Sequence, residues 1–429
     1  MTSSPATRPA ARPARARVAV GVGRTVAAAS KLVRFGSGSV IGGRAALAVD
    51  PQLLRRLTTG RDVALVSATN GKTTTTRLLG AALGADRPVV SNVLGANMTP
   101  GIVAALGGAD PSATAVLEVD ERWLERVLAE TGASTVVLLN LSRDQLDRTQ
   151  EVRALAERWR RALTTTPPRT VVANADDPLV VWAAQAAPHA VWVATAQDWT
   201  ADAAGCPACS GRIAFSPGSW RCTNCDLARP RPDIAVDDAG GRGAVVTLAS
   251  GPVEVPLALP GRVNRVNAAF ALAAAEAMGA EPDAAGLAMG AVREVAGRYR
   301  VADVGTTAVR LVLAKNPAGW HEALDLLAPP PAAVVVAINA RVADGHDPSW
   351  LWDVPFERLA GRFVVATGER RHDLAVRLRY AGVDHAVADG LDASVALAAR
   401  RGAPADSPLD VAANYTAFQE FLDQVGGPT

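Results

Sequence analysis

Lysine is nearly missing from this 429-residue chain, which holds 44 Lys and Arg together but only three Lys, at positions 31, 72 and 315. Arginine ends in a planar fork, whereas lysine ends in a compact point charge. A lysine kept in so arginine-rich a sequence therefore indicates a site where a point charge is preferred.

Acidic residues are missing from the first 49 positions, and the first is Asp50. Arg24 interrupts the apolar segment that a signal peptide would need, so residues 1–34 are predicted to form a basic disordered tail and the start of a helix. No apolar run reaches the roughly 18 residues of a membrane span. A net charge of +2 does not fit a protein that coats nucleic acid.

Short β-branched runs alternate with helical stretches along most of the chain. The predicted strands are DVALVSA, TAVLEVD, STVVLLNLS, RTVVANA and AVWVATA, followed from residue 301 by VRLVLAK, AAVVVAINA, RFVVATG and DHAVAD. Strands that alternate with helices indicate an α/β fold with a parallel sheet, and ligands are expected at the carboxyl ends of its strands. The second set predicts a smaller α/β domain over residues 301–429.

The segment SATNGKTTTT lies between a predicted strand and a predicted helix. A phosphate-binding loop needs free backbone N–H groups at a helix N-terminus, a lysine for the phosphate oxygens and a hydroxyl for magnesium. The predicted site residues here are Asn70, Gly71, Lys72, Thr73 and Thr74. Val66 replaces the first glycine of the full motif, so an ordinary helix start is the alternative.

Four cysteines form two C-x2-C pairs separated by twelve residues, at Cys206, Cys209, Cys222 and Cys225. This spacing places four thiolates around one zinc ion, and four protein ligands leave no open position for catalysis. We therefore expect a structural zinc ribbon inserted at residues 205–227, with unrelated free thiols as the alternative. The ribbon has no basic run, which argues against nucleic-acid binding.

The order of motifs along the chain resembles the Mur ligase family of ATP-dependent amide ligases. The segments that carry the resemblance are SATNGKTTTT, SNVLGANMTPG, LEVDE, NLSRDQLDR, NADDP and LPGRVNRVNAAFALAA. The resemblance covers about residues 35–300 and implies a central P-loop ATPase domain with a parallel sheet. It also implies ATP and Mg²⁺ as cofactors.

The same resemblance implies roles for individual residues. Lys72 would meet the phosphates, and Thr73 and Glu118 would hold magnesium, although Glu118 could also be an ordinary strand-end carboxylate. Asn264 and Asn267 would lie at the base end of the nucleotide or merely cap their helix. The pair Asp144 and Asp147 would lie near the metal or cap a helix, and Gln145 and Val263 stand where the family usually has His.

The segments LVLAKNPAGWHEAL and INARVADGHDPSWLWDV are similar to the C-terminal domain of the MurT family, the ligase-like subunits of bacterial lipid II isoglutaminyl synthase. This resemblance implies a Rossmann-like C-terminal domain and a heterodimer with a glutaminase subunit. It also implies amidation of the D-glutamate α-carboxyl of lipid II through an acyl phosphate, in the cytoplasm at the inner membrane face, during peptidoglycan synthesis.

Two groups of residues in this domain are candidate site residues. Lys315 and Asn316 follow a predicted strand, where substrate ligands are expected, although a solvated Lys is the alternative. The resemblance further implies that one Asp of ADGHD completes the partner's Cys–His triad, and we favour Asp347 over Asp344. The loop, which also contains His346 and Asp353, could otherwise be a surface turn or a second metal site.

Two other functions share the same core. A self-sufficient Mur-like or folylpolyglutamate-like ligase would join an amino acid rather than ammonia, but it gives no reason for the paired cysteines or the ADGHD loop. A non-catalytic ATP-binding scaffold would have no need of Glu118 beside Lys72 and Thr73.

Overall fold

The computed structural model describes residues 13–32, 39–92, 96–143, 152–197, 199–237, 243–293, 299–402, 404 and 407–426. The chain divides into two compact units, of which the first comprises Met1–Leu141 and Val152–Arg293 and the second Ser142–Glu151 and Glu294–Thr429. The boundary predicted at residue 301 falls inside the first strand of the second unit, which begins at Tyr299.

The helices of the first unit are α1 (Ala14–Leu32), α2 (Ser39–Val49), α3 (Leu53–Thr58), α4 (Lys72–Leu83), α5 (Thr99–Gly108), α6 (Leu124–Thr131), α7 (Val152–Thr165), α8 (Pro178–Ala184), α9 (Arg262–Ala277) and α10 (Pro282–Met289). Its strands are β1 (Val63–Ser67), β2 (Val89–Ser91), β3 (Thr114–Val119), β4 (Thr135–Leu138), β5 (Thr170–Asn174), β6 (Ala190–Val193), β7 (Ile213–Ser216), β8 (Ser219–Cys222), β9 (Ala235–Asp237), β10 (Ala244–Leu248) and β11 (Gly251–Val255). A short 3₁₀ helix covers Ala201–Ala203.

The main sheet of the first unit is parallel, in the order β2-β3-β1-β4-β5-β6. Its strands are apolar at almost every position because both faces are covered. One face packs in a core that contains Trp159 and Leu65, and the other packs against Phe270 of α9. The predicted parallel α/β fold is therefore confirmed for this unit.

Two smaller sheets complete the first unit. Strands β9 to β11 form an antiparallel sheet beside α9, and β7 pairs with β8 in a hairpin that carries Cys222. The hairpin has only 4 residues in each strand, so it offers little apolar surface of its own.

The elements of the second unit are β12 (Tyr299–Val304), β13 (Thr307–Leu313), α11 (Pro317–Leu326), β14 (Val334–Ala337), 3₁₀ helices at Pro348–Trp352 and Phe356–Leu359, β15 (Phe363–Thr367), α12 (Arg371–Tyr380), β16 (Asp384–Val387), α13 (Leu391–Gly402), β17 (Leu409–Ala413) and α14 (Tyr415–Gln424). The sheet order is β12-β13-β17-β14-β15-β16, and only β12 runs antiparallel to its neighbour. This arrangement confirms the expected second α/β domain.

Strand β17 was not predicted, although it lies in the middle of this sheet. Its sequence LDVAA contains an acid and two alanines, which have low β propensity. Asp410 is tolerated there because it accepts a hydrogen bond from Arg310 Nε at 2.6 Å and another from Ala328 N at 2.6 Å. Tertiary pairing therefore overrides the local preference of this segment.

Candidate nucleotide site and cysteine cluster

The predicted phosphate loop connects β1 to α4 and turns at Gly71. Gly71 precedes the first residue of α4 and has φ of 86°, a conformation that glycine adopts without strain. A Cβ at this position would lie 2.8 Å from Asn267 Oδ1. The glycine is thus required both by the turn and by the close approach of α9, and the N–H groups of α4 are left at the carboxyl edge of the sheet.

A side chain from the next strand holds the shape of this loop. Asn140 follows β4, and its Oδ1 accepts from Asn70 N at 2.9 Å while its Nδ2 donates to Asn70 O at 3.0 Å. The backbone carbonyl of Asn140 also accepts a hydrogen bond from Thr69 N at 3.0 Å. Asn70, a predicted nucleotide ligand, is therefore fixed through its backbone by Asn140, which sequence reasoning missed.

Lys72 lies inside the loop and forms a buried ion pair. Its Nζ donates to Glu121 Oε2 at 3.0 Å, to Thr69 O at 3.2 Å and also to Ala68 O. The two charged side chains are each only 8% exposed. A buried ammonium requires such a partner because desolvation penalises an isolated charge.

Glu121 was also missed by sequence reasoning, although a signal was available in the acidic end of LEVDE. This segment covers the end of β3 and the two residues after it. Strand β3 pairs directly with β1, and Glu118 lies opposite Val66. In the turn after β3, Asp120 accepts hydrogen bonds from Arg122. Burial raises the pKa of Asp120, but these hydrogen bonds and the charge of Lys72 lower that pKa overall. Carboxylates thus follow the strand that adjoins the loop.

Glu118 lies at the end of β3 with its side chain only slightly accessible. Its Oε1 accepts from Asn97 Nδ2 at 3.2 Å, and its backbone N donates to Asn92 Oδ1 at 2.8 Å. Glu118, near the end of β3, and Lys72, after β1, therefore belong to neighbouring parallel strands, and their roles towards magnesium and phosphate stay predictions. In the first turn of α4, Thr73 is half-buried and Thr74 is buried.

The two predicted asparagines of α9 have different surroundings. Asn267 is buried and accepts from Thr75 Oγ1 at 3.3 Å, so it packs α9 against α4. Asn264 is half-buried and donates through Nδ2 to Pro260 O at 2.6 Å. The other predicted pair, Asp144 and Asp147, lies outside the described residues.

Asp177 of the NADDP segment is buried and caps α8. Its Oδ1 accepts from Leu179 N at 2.9 Å and its Oδ2 accepts from Leu141 N at 2.9 Å. Burial raises the pKa of this carboxyl to about 6 despite these hydrogen bonds. The carboxyl thereby joins α8 to the segment after β4.

The four cysteines lie together at the base of the β7–β8 hairpin. All four Sγ atoms lie within 4.8 Å of one another, with Cys206 Sγ 3.7 Å from Cys225 Sγ and Cys209 Sγ 3.5 Å from Cys222 Sγ. A tetrahedron of Zn–S bonds of about 2.3 Å has edges near 3.8 Å, whereas a disulfide bond measures about 2.05 Å. The cluster therefore fits one zinc ion and does not fit disulfides.

Backbone N–H groups support the thiolate form of this cluster. Asn224 N donates to Cys222 Sγ at 3.3 Å, and Gly211 N donates to Cys209 Sγ at 3.4 Å. The hydrogen bond from Asn224 is the main cause that lowers the pKa of Cys222 to about 6. Burial raises the pKa of Cys206, and despite a backbone hydrogen bond from Leu227 the neighbouring thiols raise the pKa of Cys225 to about 12. The chemistry of the donor set is that of a closed zinc site.

In the second unit, Lys315 and Asn316 lie between β13 and α11. Asn316 is buried and its Oδ1 accepts from Gly319 N at 2.8 Å, so its side chain caps α11. Lys315 is half-buried at the end of its strand. Both residues follow the end of β13, and their binding of substrate stays a prediction.

The two candidate aspartates of the ADGHD loop have opposite environments. Asp344 is buried, and its Oδ1 accepts from Thr416 N at 2.9 Å while its Oδ2 accepts from Thr416 Oγ1, which holds the start of α14. Asp347 is exposed and accepts only from Ser349 N, at 2.8 Å, among the contacts seen in the described chain. Of the two carboxylates, Asp347 is therefore the exposed one, and its contact with a partner stays a prediction.

The rest of this loop shows no cluster of metal ligands among the described residues. His346 is exposed, and its Nδ1 lies 3.1 Å from Ala340 O. Within the described ranges, the four cysteines are the only group of three or more His, Cys, Asp or Glu side chains close enough to share an ion. The alternative of a second metal site here finds no support.

Comparison with known proteins identifies the family. The family described as Mur ligase middle domain matches residues 66–275, and MurT ligase C-terminal matches residues 313–418. The subunit MurT of lipid II isoglutaminyl synthase (glutamine-hydrolyzing) from Streptococcus pneumoniae is 32% identical over 82% of this chain and 84% of its own length. The chain belongs to the MurT family. The MurT subunit of Staphylococcus aureus is 27% identical over 81% of this chain and 84% of that protein.

Solved structures place the MurT-family chain in the Mur ligase fold. A pseudomurein peptide ligase type C from Methanothermus fervidus superposes with a TM-score of 0.66 at 19% identity, covering 87% of this chain and 81% of that one. MurF from Acinetobacter baumannii gives 0.65 at 16% identity, covering 89% and 79%. The match to the Mur ligase middle domain over residues 66–275 agrees with this fold.

No helix in the described part of the MurT-family chain has both the length and the apolar character needed to cross a membrane.

Proposed function

We propose that this chain uses ATP to activate the α-carboxyl of the D-glutamate residue in lipid II, and that ammonia from a glutaminase partner then converts it to D-isoglutamine. The observation that carries the proposal is the buried Lys72 at the N-terminus of α4, beside the carboxylates that follow β3. Relatives named as subunits of lipid II isoglutaminyl synthase support the substrate.

The chemistry follows from the weak reactivity of a carboxylate. A carboxylate oxygen attacks the γ-phosphorus of ATP, the bond to ADP breaks, and an acyl phosphate forms. Ammonia then attacks the carbonyl carbon, and inorganic phosphate leaves with one of the two former carboxylate oxygens. Phosphate is a good leaving group, whereas the oxygen of a free carboxylate is not. Positioning and charge stabilisation are the main contributions that a protein makes to phosphoryl transfer.

Residues of this chain have separate tasks in the proposal. The ammonium of Lys72 and the N–H groups at the start of α4 bind the β/γ-phosphates. Thr73 and Glu118 would hold Mg²⁺, which neutralises phosphate charge when bound. Asn264 and Asn267 would lie towards the base, and Lys315 and Asn316 towards the substrate. In this assignment residues 35–300 bind ATP and residues 301–429 contact the partner.

An exposed aromatic pair supports a docking face near Asp347. Trp352, at the end of the 3₁₀ helix that Asp347 caps, is 55% exposed, and Tyr380 is 75% exposed. Their rings meet edge to face with centroids 5.4 Å apart. Exposed aromatic residues are enriched at protein interfaces, so a glutaminase partner seated here would receive the Asp347 carboxylate.

The lipid-linked substrate would bring the reaction to the cytoplasmic face of the membrane. The four cysteines would hold one structural Zn²⁺, whose closed thiolate shell gives it no part in the reaction.

The test is ATP-dependent amidation of lipid II by the purified chain, with ammonia or with its glutaminase partner and glutamine. We expect product in both cases, and loss of product with Lys72→Ala or Glu118→Ala while glutamine hydrolysis by the partner changes far less. Normal amidation by Lys72→Ala would refute the ATP site. Transfer of an amino acid in place of ammonia would indicate a self-sufficient ligase.

A further inference from the structure

Helix α1 has a firmly fixed inner face. Ala16 and Ala19 are fully buried, and Gly23 meets Gly42 of α2 so closely that a Cβ on Gly23 would lie 2.8 Å from Gly42 O. The side chain of Val20 on α1 also packs against the backbone of α5, because a Cβ at Gly107 would lie 3.3 Å from Val20 Cγ1. These contacts determine which residues of α1 point away from the protein.

The opposite face of α1 is apolar in the middle and basic along one edge. Val18, Val22 and Leu32 are 59%, 37% and 86% exposed, and their spacing puts them on one side of the helix. Arg17 and Arg24 are exposed and seven positions apart, so they line one edge of this side. We call the surface formed by these five residues the outer face of α1.

Nothing in the described chain neutralises the charge of this face. Positions 1–49 contain seven Arg and one Lys but no Asp or Glu. No ion pair joins Arg17 or Arg24 to a described residue. Arg15, in contrast, pairs with Asp50 at 4.0 Å and donates through Nε to Val49 O at 3.1 Å. The outer face therefore carries free positive charge beside exposed aliphatic side chains.

We propose that the outer face of α1 docks on an anionic lipid membrane. Arginines near the surface attract anionic headgroups, while the valines and leucine enter the interfacial region without spanning it. A second copy of the chain is a poor occupant because two basic faces repel each other. A protein partner is also disfavoured, because this face has no Trp or Tyr to act as an interface anchor.

This inference deepens the proposed function, since an enzyme that acts on a lipid-linked substrate works at a membrane surface. It does not depend on catalysis. Vesicles that lack lipid II test it alone, so its failure and that of the proposed reaction are distinguishable.

The experiment is sedimentation of the full chain with vesicles of phosphatidylcholine, with and without phosphatidylglycerol, at low and high salt. We expect binding only with phosphatidylglycerol and weaker binding at high salt. Arg17→Gln with Arg24→Gln should reduce partitioning about thirtyfold, since each basic residue near such a surface contributes about 1 kcal/mol. Val18→Ser with Val22→Ser should also reduce it, by removing the inserted apolar groups.

The matched control is Arg169→Gln with Arg400→Gln, which removes the same charge from exposed positions elsewhere. It should keep wild-type binding, and thermal unfolding of both arginine variants should match the wild type because all four arginines are exposed. Absence of binding to phosphatidylglycerol vesicles, or an equal loss in the control variant, would overturn the proposal. So would a dimer that forms through α1 in solution and dissociates in the Arg17→Gln, Arg24→Gln variant.

Discussion

At the scale of single residues, the candidate ATP site contains a charge pair in a nearly dry environment. Lys72 and Glu121 contact each other at 3.0 Å with 8% of each side chain exposed. Such a pair adds little net stability over apolar residues of the same size, but the loss of one partner leaves a buried charge alone. The effects of substitutions on stability and on activity can therefore be separated here.

Lys72→Ala should reduce ATP-dependent amidation by at least about a hundredfold, because charge developing on the phosphates loses its ammonium. It should also lower the free energy of unfolding by about 3 kcal/mol, because Glu121 stays buried without a cation. Denaturant unfolding and product formation measure the two effects.

The control is the double variant Lys72→Met with Glu121→Gln, which keeps similar volumes without charge. It should regain most of the lost stability and remain inactive. A double variant as unstable as Lys72→Ala would contradict the importance of the ion pair.

Asp177 gives a pH dependence of defined sign. Burial raises its pKa to about 6, above the unfolded value near 3.8, so the folded state binds the proton more tightly between these values. Ionisation of this carboxyl therefore costs stability at pH 7, and that cost is relieved as the pH falls from about 6 to 4.

We expect the difference in unfolding free energy between wild type and Asp177→Asn to change by roughly 3 kcal/mol over this window, at about 1.4 kcal/mol per pKa unit. Urea unfolding at several pH values measures it. A difference that is independent of pH would show that Asp177 does not titrate there.

At the scale of elements, the zinc ribbon is too small to stabilise itself. Its core consists of Ile213, Trp220 and Leu227 with two of the cysteines, packed on Val181 of α8. Trp220 Nε1 donates to Ala175 O at 3.0 Å, which anchors the hairpin to the end of β5. The rest of the stability of the ribbon must come from the four cysteines and their metal, because units this small depend on metals or disulfides.

Cys206→Ser with Cys209→Ser should remove zinc and loosen the ribbon while the rest of the first unit stays folded. Elemental analysis should find about one zinc per chain in the wild type and none in the variant. Hydrogen exchange should speed up in residues 205–227 far more than in β1 to β5. A wild-type protein that is fully folded without zinc would refute the structural role.

At the scale of the whole molecule, the proposed reaction depends on a second protein. Asp347 is exposed on the second unit, while Asp344 is buried and bound to Thr416. A glutaminase with Cys and His on its own chain needs a carboxylate to fix the histidine tautomer. Separate substitution of the two aspartates therefore tests which of them serves the glutaminase.

Asp347→Asn should reduce glutamine hydrolysis by the mixed subunits by up to about 10⁴-fold, since the histidine would lose its orienting carboxylate. ATP binding and complex formation should persist, and added ammonia should restore amidation. Glutaminase activity of the assembled complex is the measurement.

The matched substitution Asp344→Asn should instead lower the stability of the second unit by about 1–3 kcal/mol, because a buried acceptor of the α14 N–H and hydroxyl groups is lost. It should leave hydrolysis near normal at temperatures where the chain is folded. Wild-type hydrolysis by Asp347→Asn, or lost hydrolysis that follows Asp344 instead, would disprove the assignment.

Much of the fold could be predicted because its signals are local. Nine strands show up as short β-branched runs, and the paired C-x2-C spacing alone points to the cluster that Cys206 and Cys222 help to form. Strand β17 was not predicted because an acid and alanines occupy it, and Asp410 is tolerated there only through hydrogen bonds from the distant Arg310 and Ala328. The assigned roles of the nucleotide and substrate ligands stay predictions.

The sequence by itself determined the alternation of strands and helices, the glycine turn before Lys72 and the zinc spacing, because each depends on residues a few positions apart. Only the tertiary structure decided that Glu121 meets Lys72, that Asn140 shapes the loop and that Asp344 is buried while Asp347 is exposed. The reason is that these contacts join residues 49 to 72 positions apart. Strand order brings such residues together, and no local window of the sequence specifies that order.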